Sequence, residues 1–317
     1  MIYSPSVGLR WITVVALAVL GLIPAAATAQ RASPPRFALP VVAIVADAAG
    51  TELTDFVIPH ATLTESGVAR IVTVALHPGR IRLRPGSLYI TPDQTMAEFD
   101  AANPRGADYV IVPALVDHEN LAIAAWIRAQ SVRGATIVSI CEGARTVAKA
   151  GVLDGRHATT HWSALDELTE AYPGTTWVRN RRYVLDDHLI TTTGVSAALP
   201  ASIVLIDQIA GRVVADSMAR QLGLDSWDAT HDTDAFHLTR WTWVKAAWNT
   251  IVPWRHDAIG VAVTDGFDEI ALALTVDAIA RSIRGKPVTW SETGAPVRGR
   301  QGLQITVDRV ESSIEAG

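Results

Sequence analysis

Short apolar runs alternate with longer segments of mixed polarity along most of the chain, a pattern typical of buried strands separated by helices. Four runs predict strands at 41–46, 71–76, 109–112 and 135–140. A strand buried on both faces shows no polar alternation, so these runs indicate a parallel sheet with helices on each side. Helices are predicted at 52–66, 119–130 and across 194–223, and Pro85-Gly86 predicts a hairpin over 80–89.

The pattern of the opening strands returns near the C-terminus. The run from Ile259 to Asp265 is similar to the first strand with Asp47, and Leu303 to Asp308 is similar to Leu88 to Asp93. We therefore predict that residues 257–317 are a truncated repeat of the opening third of the domain, in the order β-α-β-β.

Residues 1–29 have the layout of a secretory signal peptide. A polar start with Arg10 precedes an apolar run from Trp11 to Ile23, and small residues surround a cleavage position after Ala29. The run is shorter than the roughly 20 residues of a membrane-spanning helix. We expect cleavage, a periplasmic or secreted protein, and no stable membrane span afterwards; a retained anchor is the alternative.

The net charge and the composition of the chain limit the classes of binding partner that we expect. Loss of Arg10 with the signal segment would change the formal net charge from −5 to −6. A mildly acidic surface argues against a nucleic-acid partner, and a hydrophobic content of 49% predicts a substantial core.

Residues 224–256 are interpreted as a Trp-rich connecting segment, because five of the ten tryptophans lie between Trp227 and Trp254. Contact with a membrane interface is an alternative, although the stretch lacks a basic polar face. A metal site in the loop 231–237 is another, although its His and Asp residues lack a defined ligand spacing. We predict no metal and no cofactor.

Cys141 is the only cysteine in the 317 residues, and it lies where the strand at 135–140 turns into a helix. This layout predicts a nucleophile elbow, in which the N-terminal end of the helix would stabilise a thiolate. An exported thiol with no disulfide partner in its own chain is either reactive or buried as a small apolar group.

The stretch from Cys141 to Trp162 closely resembles the ThiJ/PfpI family of the class I glutamine amidotransferase-like superfamily. This stretch is the most specific part of the resemblance, and it includes the run Ala148-Lys149-Ala150-Gly151-Val152-Leu153-Asp154-Gly155-Arg156-His157-Ala158-Thr159-Thr160-His161-Trp162. The resemblance covers about 40–223 and is strongest to isonitrile hydratases and the sensor domains of AraC-type regulators. It implies a flavodoxin-like three-layer α/β/α sandwich with a mostly parallel sheet, and a homodimer whose interface the tail would cover or extend.

The resemblance also assigns the site residues. It places the nucleophile at Cys141, the family's acidic residue at Asp55 and its histidine at His161. A protonated Asp55 would donate a hydrogen bond to the sulfur or act as general acid and base, which requires a raised pKa. His161 is either a base or substrate contact, or a structural histidine.

Two positions depart from the family pattern. Pro113-Ala114-Leu115 stands where Pro-Gly-Gly is usual, so Ala114 and Leu115 bring side chains to the backbone that faces the substrate oxygen. Glu142 follows the cysteine. An inward-pointing carboxylate there would raise the pKa of the thiol, whereas an outward-pointing one would leave only its backbone N–H in the site.

We therefore expect a cysteine-dependent hydratase or hydrolase that acts on a small molecule through attack of Cys141 on an electrophilic carbon. The alternative is a non-catalytic ligand-binding or redox-sensing domain related to the regulator sensor domains. DNA binding is not expected, because the truncated repeat follows where those regulators carry a basic helix-turn-helix.

Overall fold

The computed structural model describes residues 38–86, 88–194, 197–232, 248 and 257–310. The predicted signal segment, most of the Trp-rich segment and positions 233–237 of the proposed metal loop lie outside the described residues. Within the described part of the chain, no helix has the length and apolar character needed to cross a bilayer.

Strands and helices alternate along much of the chain, with several runs of consecutive short strands. The strands are β1 (Val41–Ala46), β2 (Thr51–Glu52), β3 (Arg70–Ala75), β4 (Ile81–Arg84), β5 (Leu88–Ile90), β6 (Gln94–Thr95), β7 (Tyr109–Val112), β8 (Thr136–Ser139), β9 (His157–Ala158), β10 (Thr176–Trp177), β11 (Tyr183–Asp186), β12 (Leu189–Thr192), β13 (Asp257–Ala262), β14 (Gly285–Ser291), β15 (Val297–Arg298), β16 (Gln304–Thr306) and β17 (Arg309–Val310). The helices are α1 (Leu53–Ser66), α2 (Met96–Ala102), α3 (Leu121–Val132), α4 (Gly143–Lys149), α5 (Trp162–Ala171), α6 (Ala198–Ala210), α7 (Arg212–Gln221) and α8 (Glu269–Arg281).

The main sheet has the strand order β11-β12-β8-β7-β1-β3-β6, and its neighbours are parallel except for the antiparallel pair β11 and β12. Val42 and Ile44 of β1 face a core formed with α1, α6 and α7. Ala43 and Val45 face a second core formed with α2, α3 and α4. Because both faces of β1 are buried, its sequence is a continuous apolar run. The predicted three-layer α/β fold is confirmed.

The helical region predicted over 194–223 is divided into α6 and α7. Gly211 lies between them with φ 85°, a backbone conformation that favours glycine. The chain therefore ends one helix and starts the next within a single residue.

The C-terminal residues repeat the architecture of the opening ones. The unit β13-α8-β14 is a parallel β-α-β unit like β1-α1-β3. The antiparallel pairing of Val297 with Ile305 repeats that of Ile81 with Ile90. The tail therefore includes a second β-hairpin, and it adds the short strand β17 beside β14.

The two copies pack against each other through equivalent elements. Strand β16 pairs antiparallel with β5, with Ile305 directly opposite Ile90, and α8 packs on α1. Contact between equivalent elements is the arrangement of an isologous dimer interface, formed here within one chain. The chain from Ala38 onward is accordingly one compact unit, and the tail covers α1.

Candidate functional site

Cys141 lies at the carboxyl end of β8, where it joins α4. Its φ is 57°, and holding a non-glycine residue in this region costs on the order of 1 kcal/mol or more. Its N–H donates to the carbonyl of Thr193 at 3.2 Å, and the hydroxyl of Thr160 donates to its carbonyl at 3.0 Å. These contacts hold the predicted elbow in its strained conformation.

Gly143 lets α4 begin directly against the end of β7. A Cβ at this position would lie 2.1 Å from the carbonyl oxygen of Val112 and 3.0 Å from that of Pro113. No side chain fits at these distances. Glycine therefore brings the elbow next to the loop after β7, and the backbone N–H of Glu142 donates a hydrogen bond to the Cys141 sulfur.

The thiol is buried, with 7% of Cys141 exposed. Burial raises the pKa of the Cys141 thiol well above its usual range, and the carboxylates of Asp55 and Glu52 raise it further. The hydrogen bond from Glu142 lowers this pKa but does not outweigh the other effects. The start of α4 was expected to stabilise a thiolate, but burial and the neighbouring carboxylates have the larger effect on the pKa. Cys141 is therefore a neutral thiol at neutral pH.

Asp55 is fully buried in the first turn of α1. Its Oδ2 atom accepts a hydrogen bond from the Ala114 N–H at 3.2 Å. Its Oδ1 atom has no hydrogen-bond partner among the described residues. Burial raises the pKa of Asp55 well above its usual range, and the neighbouring charge of Glu52 adds to the effect. Asp55 therefore keeps its proton to a higher pH than an exposed aspartate does.

Glu52 is a site residue that the sequence analysis missed. Its Oε2 atom accepts the N–H of Asp55 at 2.7 Å and the hydroxyl of Thr54 at 2.9 Å, and its Oε1 atom lies 2.7 Å from Nη2 of Arg281. Burial raises the pKa of Glu52. All three donors favour the carboxylate form of Glu52, but they do not outweigh the effect of its burial.

A local signal existed for Glu52 but not for Arg281. An acidic residue directly before a buried helix is a candidate N-cap, and Glu52 occupies that position in α1. Arg281 is 229 residues away in sequence. It reaches Glu52 only because α8 packs on α1.

His161 belongs to a separate hydrogen-bonded network. Its Nδ1 atom lies 2.6 Å from Oγ of Ser163 and 3.7 Å from Oε1 of Glu142. Its ring packs on Gly194, where a Cβ would lie 2.2 Å from Cδ2. Burial lowers the pKa of His161, so the ring is neutral at pH 7. Among the described contacts there is no hydrogen bond between His161 and the Cys141 sulfur.

The Glu142 carboxylate points away from the sulfur. It accepts hydrogen bonds from Arg145 at 2.9 Å and from Ser163 at 2.7 Å. Although burial opposes the effect, these donors lower the pKa of Glu142. The carboxylate is thus held by Arg145 and Ser163, and its charge adds a further contribution to the raised pKa of the Cys141 thiol.

The loop after β7 is attached to the start of α1. The N–H of Glu52 donates to the carbonyl of Ala114, and the N–H of Val116 donates to that of Gly50, both at 2.9 Å. The side chain of Leu115 is buried between them. The Ala114 N–H is used by Asp55, so Ala114 positions the acid rather than facing open space.

No metal centre is formed by the described residues, in which no group of three or more His, Cys, Asp or Glu side chains is arranged to hold an ion. The acidic residues near Cys141 instead face an arginine and backbone donors. The site therefore combines a thiol, a buried carboxyl group with a raised pKa and backbone N–H groups.

A mostly parallel α/β sandwich with a cysteine on a strand-to-helix elbow places the thiol at the carboxyl ends of the strands, where open α/β sheets bind their ligands. A sequence profile of the DJ-1/PfpI family matches residues 41–207, more than half of the chain. The chain belongs to this family.

Three relatives illustrate the range of the family. The transcriptional regulator CdhR of Pseudomonas aeruginosa is 35% identical over 114 residues, which cover 36% of this chain and 31% of CdhR. The isonitrile hydratase of Pseudomonas putida is 31% identical over 119 residues, covering 38% of this chain and 49% of the hydratase. Protein dj-1beta of Drosophila melanogaster is 25% identical over 185 residues, covering 57% and 95%. The chain thus spans a third to a half of the first two proteins.

Solved structures agree with the fold. The crystal structure of Drosophila melanogaster DJ-1beta gives a TM-score of 0.53 at 22% identity, covering 59% of this chain and all of that one. An AraC family transcriptional regulator from Pseudomonas putida gives 0.51 at 17% identity, covering 58% and 99%. At these identities, the likeness establishes the fold alone.

Proposed function

We propose that this protein is an exported enzyme that uses Cys141 to hydrate or hydrolyse a small molecule. The observation that carries the proposal is the fully buried Asp55 carboxyl, which acts on the pKa of the Cys141 thiol and has one oxygen without a partner among the described residues. A buried polar atom without a hydrogen bond costs stability. A catalytic role for Asp55 beside the sulfur explains why the protein keeps this unfavourable group.

The arrangement supports a proton relay. As the sulfur forms a bond to the electrophilic carbon of the substrate, Asp55 donates its proton to the substrate atom that becomes basic, and it accepts the thiol proton in return. The backbone N–H of Glu142 stabilises negative charge that develops near the sulfur. Water then attacks the same carbon and displaces the sulfur, while Asp55 gives its proton to the departing sulfur and takes one from the attacking water. The hydrated product keeps the first proton, and the thiol and the protonated acid are restored. In a hydrolysis, the substrate group that Asp55 has protonated leaves before water attacks.

Export rests on the pattern of residues 1–29. A polar start, a short apolar run and small residues before position 30 are the features that signal peptidases recognise. Analysis of the N-terminus of the protein recovered outside the cytoplasm tests this part of the proposal. We expect it to begin at Gln30; a chain that keeps Met1 in the membrane fraction would indicate the anchored alternative.

Turnover assays test the catalytic proposal. With an isonitrile or a 2-oxoaldehyde as substrate, Cys141→Ser is expected to abolish turnover, and Asp55→Asn to lower it by about 100-fold or more, the usual contribution of a positioned acid or base. Asp187→Asn is the matched control, since the Asp187 side chain is exposed and lies near His188 rather than near a residue of the thiol site. Full turnover in Cys141→Ser would contradict the proposal.

A ligand-binding domain is the second candidate, and the observation that favours it is the low exposure of the neutral thiol. Saturable binding of a small molecule, retained in Cys141→Ser and without turnover, would support this reading. The redox-sensing form is less well supported, because the thiolate is the species that oxidises and burial raises the pKa of Cys141.

A further inference from the structure

A pocket of about 420 Å³ lies where the tail meets the domain. The hairpin of β4 and β5 provides one wall, with Arg82 and Arg84. The loop after β7 provides another, with Leu115 and Val116. Glu52 and Arg281 complete the lining. Its volume lies near the lower end of the range for small-molecule sites, so it is large enough for a small organic molecule.

Arg82 and Arg84 give this pocket positive charge that the protein does not neutralise. They alternate with the buried residues Ile81 and Leu83 on β4, so both lie on the exposed face of the strand. Across the described residues, neither guanidinium lies within ion-pair distance of a carboxylate. Two like charges on one strand face repel each other, and an anion between them would remove that repulsion.

Arg281 has a different role, because its charge is already compensated. Its Nη2 atom pairs with Glu52, and its Nε atom donates to both carboxylate oxygens of Asp277, at 2.7 and 2.9 Å. The Arg281 guanidinium closes the side of the pocket formed by the tail. The two arginines of β4 remain to bind a ligand.

The pocket adjoins the thiol site. Glu52 and Ala114 belong to its lining, and both also bond to Asp55. A small molecule anchored on the β4 arginines would therefore present its other end toward the residues that surround the sulfur.

We infer that this pocket binds the carboxylate of a small organic acid, so that the substrates of the thiol are short carboxylates. The guanidinium group matches a carboxylate with two parallel hydrogen bonds, and Val116 with Leu115 offers an apolar wall to a short carbon chain. The inference rests on the proposed function, because it names the substrate class for the same thiol.

Alkylation of the lone cysteine tests the inference without knowledge of the substrate. Iodoacetate and iodoacetamide both alkylate cysteine, and Cys141 is the only cysteine in the sequence. The two reagents have almost the same shape but differ in charge. For each thiol, the rate of alkylation by iodoacetate is divided by the rate with iodoacetamide. At low salt this ratio is expected to be about tenfold higher for Cys141 than for glutathione, which corresponds to ~1.4 kcal/mol. It should fall as the ionic strength rises.

Arginine variants locate the effect. Arg84→Gln and Arg82→Gln are each expected to lower the ratio toward that of glutathione, with each variant normalised to its own iodoacetamide rate. Arg105→Gln is the control, because Arg105 is also exposed but lies outside this pocket. As a second measurement on the unmodified protein, propionate should slow the iodoacetamide reaction and the neutral propionamide should not.

The outcomes separate this inference from the proposed function. If iodoacetamide modifies folded Cys141 but the ratio equals that of glutathione and propionate gives no protection, the carboxylate pocket is wrong and the nucleophile stands. If neither reagent reacts until the protein is unfolded, the nucleophilic role of Cys141 is wrong, and the inference built on it is also overturned.

Discussion

At the scale of single residues, the site depends on which carboxyl group carries a proton. Glu52 and Asp55 are both buried near the thiol, but Glu52 accepts three donors whereas Asp55 accepts only the Ala114 N–H. A proton is therefore held more firmly by Asp55 than by Glu52. Arg281 contributes to this distribution from the tail, because its charge favours the ionised form of Glu52.

The raised pKa of Asp55 predicts a stability that falls as the pH rises. The folded-state pKa lies above that of the unfolded chain, so the folded protein binds the extra proton, and its stability is greatest below the ordinary aspartate pKa. This contribution is lost as the pH rises through the folded-state pKa, at up to ~1.4 kcal/mol per pH unit.

Chemical denaturation across a pH series measures this effect. The free energy of unfolding of the wild type, relative to that of Asp55→Asn, is expected to decrease with rising pH, since asparagine has no proton to lose. Exposed Asp187→Asn serves as the control. A difference that stays constant across the series would show that Asp55 does not titrate as described.

At the scale of elements, the start of α4 and the start of α1 form the site together. The elbow positions the sulfur and the Glu142 N–H, and the first turn of α1 supplies Asp55. The loop after β7 links these two elements through the hydrogen bond between Ala114 and Asp55. The close approach of α4 to β7 at Gly143 is what holds this geometry.

Gly143→Ala is therefore expected to destabilise the protein. The added methyl group would overlap the carbonyl of Val112, and forcing extra volume into a packed site typically costs ~1–3 kcal/mol. Urea unfolding measures the cost. Gly174→Ala is the control, since the nearest atom would lie at 3.9 Å and the change should stay within ~0.5 kcal/mol. Equal effects of the two substitutions would mean that the elbow does not need glycine.

At the scale of the whole molecule, the tail is an internal partner for the opening part of the domain, whose strand pairings it repeats. Strands β5 and β16 pair at equivalent positions, and α8 covers α1. The homodimer implied by the family resemblance stays a prediction. A second copy of the chain would have to bind elsewhere, because the α1 face is already occupied.

Val276→Asp tests how strongly the tail is held. Val276 is fully buried on α8, and its Cγ1 atom would lie 2.6 Å from a Cβ at Gly86. A carboxylate buried at this position would lose its hydration, which is expected to cost ~3 kcal/mol in the free energy of unfolding. Leu274→Asp is the control on the exposed side of the same helix, because 44% of Leu274 is exposed.

Unfolding and light scattering measured together distinguish the outcomes. If α8 closes the α1 face, Val276→Asp should lower stability and increase self-association through the uncovered apolar surface. Leu274→Asp should do neither. Equal stability of the two variants would show that packing of the tail contributes little.

The amino-acid sequence determined the fold class and the position of the thiol, because both depend on local patterns. Continuous apolar runs specify strands buried on two faces, and the change from β-formers to Glu142 and Gly143 specifies the elbow at Cys141. The similarity of Ile259–Asp265 to the first strand likewise lies in the sequence.

Only the tertiary structure decided how the site is charged and enclosed. The ion pair between Arg281 and Glu52, the use of the Ala114 N–H by Asp55, and the pocket of the β4 arginines all join residues far apart in the chain. Burial, which raises the pKa values of Asp55 and Cys141, is likewise a property of the packed molecule. No local pattern encodes it, because desolvation depends on every element that surrounds the group.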